Sequence, residues 1–213
     1  MSVEVLCQVG GQSLANGVKA MPSLAQDGAL IVQDDFAAAV ERGRCFAVCN
    51  QSGVTSQAGL SGTTPTLTLY NPSGSGVNGR LWFAGATFTV AFATAGAVWL
   101  AANINVAAAA VTGTITTTHV NLKLAGTGAV AGAQGNRITA LTAATLPAAP
   151  IGICLLGVGL TGAITTIPHL QTLGRWFNGG VMLMPGTALS IQTGVASGAS
   201  GTFCEYMWEE VDA

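Results

Sequence analysis

Leu81-Trp82-Phe83-Ala84-Gly85-Ala86-Thr87-Phe88-Thr89-Val90-Ala91-Phe92 opens the longest uncharged apolar stretch of the chain, which runs on to Ala110. By length that stretch could cross a bilayer as a helix. Its periodicity points elsewhere. The even positions read Trp82, Ala84, Ala86, Phe88, Val90 and Phe92, while the odd ones include Gly85, Thr87, Thr89 and Ala91. A period of two, with one bulky face and one small or hydroxylated face, belongs to a strand. Asn103 and Asn105 interrupt the tract, and no cluster of bases flanks it to set a membrane orientation. No membrane partner is expected.

Working outward, the chain continues in the same style. Half of the 213 residues are hydrophobic and only 8% are charged, giving a mean hydropathy of +0.54. Gly, Ala and Thr carry much of that value. Segments with strand character are Arg44 to Cys49, Thr64 to Tyr70, Arg80 to Ala93, Val98 to Val106 and Val111 to Leu124. Arg137 to Leu146, Ile151 to Leu160, Gly180 to Met184, Thr187 to Thr193 and Thr202 to Val211 complete the series. Turn-forming clusters such as Asn71-Pro72-Ser73-Gly74-Ser75-Gly76 separate them. Asp34 to Gly43 reads as the one short helix, with an acidic N-cap, three alanines and a terminal glycine. Residues 1 to 35 read as an extended arm with short strands at Val3 to Val9 and Ala29 to Val32. Such an arm could lie on a partner or pack locally. The fold class is therefore all-β: an antiparallel β-sandwich or jelly-roll-like body over 36–213, preceded by the arm.

The charges are distributed unevenly. Between Glu41 and Glu205 there is no carboxylate, only Arg42, Arg44, Arg80, Lys123, Arg137 and Arg175. Such a body lacks the residues for two-carboxylate hydrolysis or oxygen-ligated metal catalysis. A sugar site would need exposed aromatics beside carboxylates, and the body offers no carboxylate between the termini. The bases form no run or stripe and the net charge is −2, so nucleic acid is not expected as a partner. Small residues on outward strand faces would leave a flat, weakly hydrated surface, which implies a homo-oligomer.

Chemistry-bearing motifs are sparse. His119 and His169 have no nucleophile and acid arranged around them. Gly126-Thr127-Gly128-Ala129-Val130-Ala131-Gly132 lacks the strand-then-helix context of a dinucleotide loop. Five widely spread cysteines, Cys7, Cys45, Cys49, Cys154 and Cys204, suggest buried thiols in a reducing compartment rather than disulfides or zinc ligands. No enzyme activity, cofactor or metal is expected. Two segments stand out as interface candidates. Gly174-Arg175-Trp176-Phe177-Asn178-Gly179-Gly180 sets a cation beside two aromatics, and reads either as a binding hot spot or as a tight turn with a core tryptophan. The last strand carries Tyr206 and Trp208 on one face together with Glu205, Glu209 and Glu210. It reads as an interface strand pairing with bases, or as an ordinary final strand with an acidic end.

One resemblance adds to this. Val40-Glu41-Arg42-Gly43-Arg44-Cys45-Phe46-Ala47-Val48-Cys49-Asn50-Gln51-Ser52-Gly53-Val54-Thr55, followed by Leu67-Thr68-Leu69-Tyr70-Asn71-Pro72-Ser73-Gly74-Ser75-Gly76-Val77-Asn78, resembles a family of tailed-bacteriophage virion proteins. The shared pattern is a basic-Gly step, an aromatic strand, an Asn-Gln-Ser-Gly turn and a strand closing on Asn-Pro-Ser-Gly-Ser-Gly. The chain departs from it at Gly79-Arg80, where relatives carry aliphatic residues. The resemblance implies a β-sandwich component of the particle, assembled in the host cytoplasm. It would sit on the outer capsid surface as a trimeric decoration (cement) protein, its partners being itself and the major capsid protein. A tail, vertex or head-fibre position, in contact with the host, is the other placement it allows.

Overall fold

The computed structural model describes residues 35–90, 92–104, 111–115, 119–124, 137–159, 171–197 and 201–213. The arm expected over residues 1 to 35 lies outside them, apart from Asp35, as do His169 and the glycine-rich run 126–132. Among the described residues one helix, α1 (Asp35–Glu41), precedes eleven strands. These are β1 (Cys45–Cys49), β2 (Thr68–Asn71), β3 (Val77–Phe88), β4 (Gly96–Asn103), β5 (Thr112–Ile115) and β6 (Val120–Asn121). They continue as β7 (Thr139–Thr145), β8 (Ile151–Gly159), β9 (Gln171–Leu183), β10 (Thr187–Thr193) and β11 (Thr202–Asp212). α1 ends where Gly43 turns to a φ of 70°, with its N–H donating to the Val40 carbonyl at 2.9 Å.

Two antiparallel sheets pack face to face. Their orders are β6-β1-β11-β3-β9 and β5-β7-β2-β10-β4-β8. Without β5, β6 and β7, the remaining strands run 1-11-3-9 and 2-10-4-8. Along those eight the chain crosses to the other sheet at every step except β4 to β8, which pair with each other. This is the double Greek-key winding of a jelly roll. The segment between β4 and β8 supplies the three extra strands. β6 extends the sheet beside β1, and β7 with β5 extends the other sheet beside β2.

The core lies between the sheets. β3 contributes Leu81, Ala84, Ala86 and Phe88, and β11 contributes Cys204, Tyr206 and Trp208, facing Leu69, Val98, Leu100, Leu189 and Ile191 of the opposite sheet. Each large apolar side chain taken out of water there is worth roughly 1.5–3 kcal/mol. The period-two reading of β3 holds from Ala84 to Phe88 and then reverses. Register slips between Leu81 and Phe83, so Trp82 is the extra residue of a bulge and faces outward. There it joins Ala39 and Cys45 in a second cluster beneath α1, with Phe36 5.1 Å from its ring.

Small residues stand on both faces of the strands: Thr112, Gly113, Thr114, Gly152 and Gly174 are exposed, as expected, but many others are not. Ala84, Ala86, Ala101, Ala140, Ala144 and Ala188 are all buried. At those buried places compact side chains let neighbouring layers approach closely.

Two asparagines of the quoted motifs clamp the loops. Asn50 Nδ2 donates to the carbonyls of Ser52 and Thr202, and its Oδ1 accepts from the Cys204 N–H. Asn71 Nδ2 donates to Val77 and Leu183, both at 2.8 Å, tying the β2–β3 turn to β9.

Candidate functional site

The acidic final strand lies within its own sheet. β11 sits between β1 and β3 in the middle of its sheet. Tyr206 and Trp208 are fully buried. The Tyr206 hydroxyl donates to the Leu67 carbonyl at 3.2 Å, and Trp208 stacks on Phe46 at 5.6 Å. The interface reading of these two aromatics is therefore corrected: alternation along β11 marked the core face. The acids do meet bases, but within the chain. Arg80 Nη1 lies 3.2 Å from Glu209, which is itself buried, and Arg44 lies 3.6 Å from Asp212. Glu210 accepts the backbone N–H groups of Arg137 and Ile138 at 2.9 Å. Burial pushes its carboxyl above the ordinary value, against the lowering pull of those hydrogen bonds.

Of the expected interface acids, Glu205 stays only partly buried, on the outward face of the sheet. Across the strands its row reads Cys49, Glu205, Gly85, Gly174, and the next row reads Ala47, Met207, Phe83, Trp176.

The segment around Trp176 is neither simply a turn nor simply a strand. β9 runs through it, and four residues, 177–180, stand opposite Trp82 alone. Asn178 and Gly179 take φ of 51° and 75°, the backbone of a tight Asn-Gly turn set inside the strand. Trp176 is not a core residue: it is 52% exposed. Its ring packs on Phe83 at 5.2 Å and on Phe36 at 5.8 Å. Phe177 turns inward against the core, and Arg175 donates from Nη1 to Cys154 Sγ at 3.1 Å, linking β9 to β8.

A surface the sequence reading did not single out lies on β8. Ile151, Ile153, Leu155 and Val158 are all about half-exposed or more. From 138 to 174 the chain carries no Asp, Glu, Lys or Arg. That charge-free run was the available signal. It was missed because Ile151 to Leu160 read only as one more strand of the series, with no face assigned to it.

Other chemistry is limited. Burial, then the nearby Glu209, pushes the Cys45 thiol up to about 12, and burial does the same for Cys204. Such thiols are not nucleophiles at neutral pH. His119 is buried near the Trp208 ring. Among the described residues no group of three or more His, Cys, Asp or Glu could hold a metal, and no helix is long and apolar enough to cross a membrane. An open cavity of ≈ 290 Å³ is lined by Val54, Thr55, Gln57, Thr64, Pro65 and Thr66 among others, with no ionisable side chain. No family model, curated protein or solved structure matches the chain.

Proposed function

We propose that this chain is a non-enzymatic structural protein of a bacteriophage virion, binding the outer capsid surface as a homo-oligomer and stabilising the head. The observation that carries the reading is where the charges go. The chain has few, and those of Arg80, Glu209 and Glu210 are used inside the molecule. That leaves β8 as an apolar strip available to other protein. Contiguous exposed apolar side chains of this kind mark association surfaces. The motifs at 40–55 and 67–78 supply the phage context, and their asparagines are the clamps of the loops. A jelly roll is a common architecture of viral capsid domains and of lectins, and fold alone does not choose between them. Many weak contacts repeated over a shell would raise the barrier to rupture by avidity.

The test is re-addition. Heads lacking the protein should bind purified protein saturably and rupture at a higher temperature once coated. If the protein fails to sediment with heads but does so with tails, the placement moves to the tail or vertex.

A further inference from the structure

On the outward face of the β1-β11-β3-β9 sheet, Phe83 lies down across two glycines. A Cβ on Gly174 would sit 2.5 Å from Phe83 Cζ, and one on Gly85 would sit 2.8 Å from Cε1. Only glycine at both places lets the ring lie flat on the sheet. Trp176 rises beside it, tilted by 57° and half-exposed. Glu205 Oε1 comes within 2.9 Å of the same point above Gly85, so a carboxylate edges the ring. Among the described residues the ion pairs are Arg44–Asp212 and Arg80–Glu209, and neither uses Glu205. Arg175, the nearest base in sequence, donates instead to Cys154.

We propose that Phe83, Trp176 and Glu205 form a binding site for a neutral or amino sugar in its pyranose form. Such a ring is amphipathic. Its C–H face packs on an aromatic ring, and its hydroxyls donate to an acceptor-only carboxylate. The carboxylate repels anionic sugars and phosphates. The expectation from sequence that aromatics and carboxylates stay apart fails here because β11 pairs with β3, setting Glu205 opposite Gly85. The site is independent of where the protein sits on a particle.

The experiment is saturation-transfer NMR on the full chain with glucose, N-acetylglucosamine and sialic acid as probes. Tryptophan emission is followed at the same time. Binding of at least one neutral sugar, with a Kd on the order of 1 mM, and none of sialic acid is expected. Glu205→Gln should weaken binding at least about tenfold, and Trp176→Ala should abolish it, with the circular dichroism of both unchanged. Three results would overturn the proposal. One is no saturable transfer from either neutral sugar. Another is binding that survives in Trp176→Ala and Glu205→Gln. The last is Trp176 emission that shifts with protein concentration but not with sugar, which would show the patch covered by a second copy.

Discussion

Glu210 shows how a single carboxyl can be structural and pH-sensitive together. It receives two backbone N–H groups and sits within 3.4 Å of Trp208 Nε1, yet burial dominates and raises its pKa above 4.5. The folded state therefore holds the Glu210 proton more tightly than the unfolded chain does. Its contribution is fully present below the unfolded value and is lost as pH rises through the folded pKa. Urea unfolding of the wild type and of Glu210→Gln, followed between about pH 4 and about pH 7, should show the wild type losing ground to the variant as pH rises. The opposite trend would mean that the hydrogen bonds outweigh burial. Glu205 and Glu209 differ from Glu210 only in place. One is partly buried, and the other is buried and paired with Arg80. Three glutamates on one strand thus have three different environments. The sequence marked all of them as interface acids because neither burial nor the partner strand is visible in one strand read alone.

At the scale of elements, the loops are held by side chains rather than by length. Asn71 is fully buried and spans the β2–β3 turn and β9 with two hydrogen bonds. Asn71→Ala should cost about 2–4 kcal/mol, since two buried carbonyls lose their donor, and Asn71→Asp should cost more by setting a carboxylate against them. Denaturant midpoints of the two variants measure this, and a loss below about 0.5 kcal/mol for Asn71→Ala would remove the clamp. Much of this level was legible. Alternation located β2, β3 and β11, the Asn-Pro-Ser-Gly-Ser-Gly cluster located a turn, and the alanine run located α1. The misses have physical causes. The bulge at Trp82 reverses the faces of β3, and period-two reasoning carries no information about an inserted residue. β9 was expected only from Gly180, because Gly174 to Gly180 read as a hot spot or a tight turn ahead of the strand rather than as a turn inside one.

At the scale of the whole molecule, the uneven charge map takes on a different meaning. The acids kept to the ends were expected to bridge subunits, and of those on the final strand Glu209, Glu210 and Asp212 are held by groups of the protein's own sandwich. The exposed apolar side chains are those of β8, a strand with no charge, and the proposed association would run through them. The insertion between β4 and β8 covers the β1 and β2 edges, whereas among the described residues β8 and β9 end their sheets unextended. That asymmetry gives the sandwich one finished side and one open side. It was not legible in sequence, because it depends on which strands pair across more than a hundred residues. The measurement that bears most directly on a capsid-coating role is the copy number of this chain per particle, from quantitative mass spectrometry of purified virions against the major capsid protein. A capsid decoration protein should be present on the order of hundreds of copies, as repeated weak contacts over a shell require. About a dozen copies or fewer would contradict it and place the chain at the tail or a vertex.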